Sequence, residues 1–257
     1  MTELHIGTAG WSIPTELKGD FAKTGTHLER YSKKLNAVEI NSSFYQDHLS
    51  STYERWSSCV PQSFRFSVKL SKYFTHTKRL GETGPKLIDG LHSIAALGKK
   101  WEVLLVQIPP SLEFEKKTAE TFFSFIKKHC PAHVVFEPRH VSWINDVAID
   151  LLEHYSINKV LADPEPCRAP IARRPALEKI RYYRLHGAPL LYKSNYSAER
   201  IEQLAARLGD PISEAEKNWV IFDNTTFGFA TLNAIHLKQL TQGPTLGARD
   251  LENSNPI

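Results

Sequence analysis

With 257 residues, 41% of them hydrophobic and 23% charged, the chain has a globular composition able to bury a large core without covalent staples, which excludes a disordered or fibrous chain. Its formal charge of +4 is too slight to mark a dedicated nucleic-acid binder, but it suits an anionic small molecule as partner. Cys59, Cys130 and Cys167 form no CxxC pair, no signal-peptide pattern opens the chain and no apolar run can span a bilayer; a reducing, cytoplasmic setting with no membrane partner, no zinc knuckle and no disulfide framework is the expectation.

In chain order, a β-rich run at 4–9 (LHIGTA) enters GTAGWS, which lacks both GxGxxG spacing and a Walker lysine and so reads as a tight turn at a rim. A long loop over 11–25 follows. Further runs lie at 37–42 (AVEINS) and 65–70 (RFSVKL), the latter followed by a second long loop, 71–85, carrying Lys72, His76, Lys78 and Arg79. Leu87, Leu91, Ile94 and Ala95 then make a helical stripe. The run at 103–108 (VLLVQI) precedes another stripe, Ala119, Phe122, Phe123 and Ile126. After 133–138 (HVVFEP) come Val147, Leu151, Leu152 and Tyr155, and after them 158–163 (NKVLAD). Prolines leave 164–179 an irregular connection. The run at 180–187 (IRYYRLHG), a stripe of Ile201, Leu204, Ala205 and Leu208, and the run at 219–224 (WVIFDN) complete the alternation. A last helix carries Asn233 on its apolar face, where holding the preceding loop is its simplest role. Eight β runs separated by helices predict an α/β fold, a single eight-stranded parallel β/α barrel of TIM type over residues 1–242, with a frayed polar tail over 243–257.

Alternation along the strands sorts their residues. Val38, Ile40, Phe66, Val68, Leu104, Val106, Val134, Phe136, Tyr183, Leu185, Val220 and Phe222 fall on faces suited to the helix layer. Glu39, Asn41, Lys69, Gln107, Glu137, Arg139, Arg184, His186 and Asp223 fall on the opposite faces, and so does Asp163 against Val160 and Ala162. These polar residues gather toward the carboxyl ends of the strands, where barrels keep their chemistry. The signs nearly balance, which disfavours a dedicated metal cage; no cofactor is predicted, and the set leaves room for one divalent ion at most. Lys69, Arg139 and Arg184 suit an anionic substrate, a sugar or nucleotide derivative, with Glu137 or His186 as the proton-transfer group and Glu39 as the alternative carboxylate. Asn41 and Gln107 would orient hydroxyl groups. Trp11, Tyr45, Trp143, Tyr192 and Tyr196 lie at or after strand ends, where they stack on a ligand or cap the core. Two other readings compete: a nucleic-acid partner gripped by loops 71–85 and 164–179, and a purely structural ion-pair network.

The segments GTAGWS (7–12), VEINSSFY (38–45), FSVKLSKYFTH (66–76), QIPPS (107–111), FEPRHVSW (136–143), YRLHG (183–187), YKSNYS (192–197) and FDNTTFGFATLNA (222–234) together resemble the YecE-like family, domain of unknown function 72. The resemblance runs through almost the whole chain and implies a β/α barrel without supplying an activity. Its motifs mark Trp11, Glu39, Asn41, Tyr45, Lys69, His76, Gln107, Glu137, Arg139, Trp143, Asp163, Arg184, His186, Tyr192, Tyr196, Asn224 and Asn233 as site residues. Family members usually carry Asn in place of Asp223, which lowers Asp223 as a general base.

Overall fold

The computed structural model of the chain describes residues 2–167, 179–209 and 215–242. In chain order it contains β1 (Glu3–Thr8), α1 (His27–Ser32), β2 (Ala37–Ile40), α2 (Ser50–Ser58), β3 (Arg65–Lys69), α3 (Pro85–Ala95), β4 (Trp101–Gln107) and α4 (Lys116–His129). Then follow β5 (His133–Glu137), α5 (Asp146–His154), β6 (Asn158–Lys159), β7 (Leu161–Asp163), β8 (Ile180–Leu185), α6 (Ala198–Leu208), β9 (Lys217–Phe222) and α7 (Phe229–Gln242). Within 11–25 lies a 3₁₀ turn, Thr15–Asp20, and within 71–85 a single turn of π-helix, Tyr73–Thr77. Most of the proline-rich connection, residues 168–178, and the tail over 243–257 lie outside the described residues. No described helix is long and apolar enough to cross a membrane.

The helices start where local chemistry caps them. The Glu115 carboxylate accepts from the Lys117 and Thr118 amides and opens α4, which buries the expected Ala119, Phe122, Phe123 and Ile126 and ends on Lys127, Lys128 and His129. Asn145 accepts from the Ala148 amide and opens α5. That helix buries Ala148, Leu151 and Leu152 and leaves Val147 exposed, so the stripe read from Val147 is corrected by one position. Ala95 of α3 is likewise exposed, beyond the buried Leu87, Leu91 and Ile94.

Among the described residues every strand pairing is parallel, but the ladder does not close into the expected eight-stranded ring. It forms a four-stranded sheet, β1-β9-β8-β7, and a five-stranded sheet, β2-β3-β4-β5-β6. Two seams explain the division. At the first, side chains replace the backbone ladder between β1 and β2. The Asn36 carboxamide donates to Leu4 O and accepts from Ile6 N, both at 2.8 Å. The Tyr31 hydroxyl accepts from Thr8 N at 2.9 Å and lies 3.1 Å from Ala37 O, to which it donates. Backbone pairing returns at Ala9 and Glu39, with Gly10 N donating to Glu39 O at 2.8 Å. The close approach needs Gly7, since a Cβ there would lie 2.1 Å from Ala37 O. At the second seam the expected run 158–163 divides at Val160: β6 pairs with β5, β7 pairs with β8, and Val160 N donates to Phe136 O.

Two apolar clusters follow from the strand alternation. The outer one holds Val38, Ile40, Phe66, Val68, Leu104, Val106, Val134, Phe136, Tyr183, Leu185, Val220 and Phe222 against the helices. The inner one joins both sheets through Ala37, Val103, Leu105, Val135, Val160, Ile180, Tyr182, Trp219 and Ile221. The inner face is therefore apolar in the first half of most strands, and the polar residues come later.

Candidate functional site

At the carboxyl ends of β2, β3, β5, β8 and β9 the inner face turns ionic. Arg184, with no solvent exposure, is the hub. Its Nε and Nη2 donate to the two Glu39 carboxylate oxygens at 2.9 and 2.8 Å, a bidentate pair. Nη1 donates to Glu137 Oε2 at 2.8 Å and Nη2 also to Asp223 Oδ2 at 3.0 Å. Glu137 Oε1 accepts from Gln107 Nε2 at 2.9 Å and from Arg139 Nε at 2.7 Å. The Tyr182 hydroxyl sits between Glu39 Oε2 (2.9 Å) and Ser67 Oγ (2.8 Å).

His186 is wedged between two carboxylates, Nδ1 at 3.0 Å from Asp223 Oδ2 and Nε2 at 3.2 Å from Glu137 Oε1. Nδ1 faces the Asp223 acceptor, while Nε2 faces both the Glu137 acceptor and, at 3.2 Å, the Arg139 Nη2 donor; donation to both carboxylates is the arrangement of an imidazolium. Burial opposes the charge on His186, but the hydrogen bonds to Asp223 and Glu137 outweigh it and raise the pKa. Burial likewise works against ionised Glu137 and Asp223; Arg184 and His186 overcome it and hold Glu137 well below the carboxylate range and Asp223 below its ordinary value.

Lys69 stands apart from this saturated network. Its Nζ lies 4.2 Å from the centre of the Phe44 ring, and among the described residues it has no hydrogen bond or ion pair. The residue keeps 7% of its surface exposed. Burial first, then the nearby Arg184, push its pKa down to about 8, against the pull of Glu39, Asp223 and Glu137. Four cationic side chains, Arg184, Arg139, His186 and Lys69, thus share three carboxylates. Asp223 Oδ1 is the one carboxylate oxygen of the three residues with no partner among the described residues.

Residues from neighbouring loops rim the cluster. His76 packs edge-on to Phe44 at 5.0 Å; burial, then Lys69, Arg139 and Lys72 lower its pKa. Asn41 has a buried Oδ1 without a partner. Tyr192, partly exposed and at a φ of 65°, lies edge-on to His186 at 5.7 Å and acts on Arg139. Tyr45 is 66% exposed, with Lys72 over its ring.

Several expected site residues lie elsewhere. Asp163 pairs with Arg200 at 3.2 Å, because Val160 takes the inward position at the seam and upsets the alternation read for that strand. The Tyr196 hydroxyl accepts from Gly187 N and donates to Asp163 O, pinning the chain after β8. Asn224 Nδ2 donates to Ser194 O and to Asn233 Oδ1, and Asn233 donates to Asn195; the amides hold the loop after β8. Trp143 donates to Leu112 O and packs on Phe114, Phe123 and Phe136. Trp11 packs edge-on to Trp56. Reading the sequence missed Tyr182 and Phe44. Tyr182 shares the inward alternation of Arg184 and His186, which was a usable signal; nothing in the sequence marked Phe44.

A second ionic group closes the amino ends of the strands. Lys217 bridges Glu3, at 3.2 Å, and Glu102, and Trp219 Nε1 donates to Glu102 Oε2 at 3.0 Å. His5 Nε2 lies 3.1 Å from Glu102 Oε2 and 3.3 Å from Glu3 Oε1, neither with hydrogen-bond geometry. Donor atoms of Glu3, His5 and Glu102 lie within 4.8 Å of one another, but the Lys217 ammonium already occupies both acids. At the carboxyl ends the Arg184 guanidinium fills the same place among three carboxylates, so neither set is arranged as a vacant cation cage. A cleft of about 360 Å³ between Arg79, Ser111, Glu115 and Trp143 lies apart from both groups.

Comparison with known proteins agrees with this architecture. The UPF0759 protein YunF of Bacillus subtilis (strain 168) is 22% identical over 275 residues, spanning 92% of this chain and 94% of that protein. A DUF72 family protein of Enterococcus faecalis V583 superposes with a TM-score of 0.75 at 20% identity, over 93% of this chain and 95% of its own. One from Thermotoga maritima MSB8 gives 0.74 at 21%, over 93% and 98%. Likeness at that identity shows a shared fold. With a family model matching residues 5–255, the chain belongs to the family described as protein of unknown function DUF72.

Proposed function

We propose that this protein is a cytoplasmic β/α-barrel enzyme acting on a phosphorylated or otherwise anionic small molecule by acid–base chemistry at the carboxyl ends of its strands. One observation carries the reading: the cluster holds more cationic groups than carboxylates, and the surplus falls on Lys69, which has no anionic partner within hydrogen-bond distance among the described residues. Arg184 is spent on Glu39, Glu137 and Asp223 and serves as their scaffold. The anion therefore falls to Lys69 and Arg139, whose side chain keeps 14% of its surface. Asn41 and Gln107 offer polar contacts to hydroxyl groups. Glu137, fully hydrogen-bonded and strongly acidic, makes a poor base. The imidazolium of His186 is the proton donor, with Asp223 and Glu137 setting its charge.

Calorimetry of the purified chain with inorganic phosphate and a panel of sugar phosphates tests this. Binding by the wild type, weakened about tenfold or more by Arg139→Ala, is expected for a lost charge-assisted contact. No heat with any anion would remove the reading.

A further inference from the structure

We infer that Lys69 is a covalent catalyst, an amine placed to form a Schiff base with a carbonyl compound that also carries an anionic group. The inference deepens the proposed function and rests on it for the anionic part of the substrate.

Four features of the site point this way. Lys69 is the last residue of β3, so its Cα is fixed by a parallel ladder on a buried strand. Among the described residues its amine is not locked into an ion pair, although three carboxylates stand in the same cluster; Arg184 and His186 have taken them. A lysine meant as a structural counter-ion would resemble Lys217, which bridges two acids at the other end of the strands. The Phe44 ring beside Nζ supplies an apolar wall that offers no hydrogen-bond donor to occupy the lone pair of the neutral amine. The guanidinium of Arg184 and the enclosure of the site both disfavour the ammonium form, so a pKa near 8 leaves roughly a tenth of the amine neutral at pH 7.

The step balances within the site. The neutral Nζ lone pair attacks the carbonyl carbon, and the carbonyl π pair moves to oxygen, giving a carbinolamine. Protonated oxygen leaves as water, and the C=N bond forms as a cationic iminium. One ammonium and one carbonyl thus become one iminium and one water, with charge conserved and no oxidant or reductant consumed. Two protons must travel from nitrogen to the departing oxygen, one that the ammonium sheds to become the nucleophile and one that the attacking nitrogen loses once the C–N bond has formed, and each needs a carrier. His76, on the same Phe44 ring and with its pKa lowered, is a neutral imidazole at pH 7 and can carry each in turn. The charges of Glu39, Asp223 and Glu137, which act on the ammonium, act equally on the iminium. Arg139 is left to hold the anionic group of the same molecule.

The test uses the intact chain with glycolaldehyde phosphate, followed by sodium borohydride, which delivers hydride to the imine carbon and fixes it as a secondary amine. Peptide mass mapping then compares Lys69 with exposed Lys72, three residues on. The expected result is an adduct on Lys69 formed on the order of tenfold or more faster than on Lys72 at pH 7. It should be absent from position 69 in Lys69→Arg, whose side chain cannot form an imine, while labelling of Lys72 continues at the wild-type rate. Should Lys69→Arg fail to fold, the wild-type ratio of Lys69 to Lys72 decides alone. Equal labelling of the two lysines in a protein that does bind phosphate overturns the inference and leaves Lys69 an electrostatic anchor. Fast Lys69 labelling that excess phosphate does not suppress, matched by uncharged glycolaldehyde, supports the amine chemistry and removes the anion reading instead.

Discussion

The two ends of the strand interior use the same materials and reach different results. At the amino ends, Lys217 and His5 meet Glu3 and Glu102, and the ammonium bridges both acids. At the carboxyl ends, three carboxylates are consumed by Arg184, Arg139 and His186, and Lys69 is left over. Between them lies the inner apolar cluster, including Trp219, whose indole nitrogen belongs to the lower network, and Tyr182, whose hydroxyl belongs to the upper one. A network in which every charge is matched accounts for itself as structure. A network that buries an additional cation and leaves its amine unmatched carries a free-energy cost that folding alone does not explain.

The sharpest way to break this contrast is to remove the upper hub. Arg184→Met leaves Glu39, Glu137 and Asp223 buried without their common partner, and a loss of about 3–5 kcal/mol is expected in denaturant unfolding. A loss under about 1 kcal/mol would mean that the cluster is wetter and looser than its distances imply.

The second test has the opposite sign. Lys69→Met removes a cation whose burial costs free energy, so the variant should be more stable than the wild type by about 1–3 kcal/mol at neutral pH while losing anion binding. The pH dependence follows from the same shift. The folded protein holds this proton less tightly than the unfolded chain, whose lysine has the ordinary value of 10.5. The penalty is therefore full below about pH 8 and is relieved as pH rises from there through 10.5. Wild type should gain stability relative to Lys69→Met across that window; parallel curves would show that the ammonium is not destabilised by folding.

The upper cluster was largely legible because its signal is local. Once 180–187 reads as a strand, alternation puts Arg184 and His186 on one face, and the same rule aligns Glu39, Lys69, Gln107 and Glu137. It failed at 158–163 because the chain changes sheets at Val160, a tertiary event with no signature in a period of two. The closed ring was over-read for a related reason: Asn36 and Tyr31 lie outside the strands, and nothing in their sequence context announces that they take over the β1–β2 hydrogen bonds. Asp223 was ranked low on family pattern alone. Its geometry shows an acceptor for both Arg184 and His186, and an asparagine oxygen could accept in the same place while lowering the charge.

At the lower end the contrast predicts a smaller effect. Glu102→Gln keeps an acceptor for Trp219 and leaves Lys217, which is 27% exposed, with Glu3 and water, so about 1 kcal/mol should be lost. Burial works against ionised Glu102, but His5 and Lys217 bring its pKa down to about 2. The stability it contributes is present above the ordinary carboxylate value and lost as pH falls toward 2. Acid unfolding of the variant should therefore be shallower than that of the wild type at the low end.

The smallest effect is spectroscopic and separates the two histidines of the upper end. His186, held by Asp223 and Glu137, should titrate above the ordinary value of 6.5, and His76, among Lys69, Arg139 and Lys72, below it. Ring carbon shifts followed by NMR across that pH range would order them. If His186 titrated below 6.5 instead, it would be neutral at pH 7, one of its two carboxylate contacts would lack a proton, and the role of proton donor would pass away from it. If the order holds, Asp223→Asn should bring the His186 midpoint down while leaving His76 nearly unmoved, because Asp223 touches the first ring and is absent from the charges acting on the second.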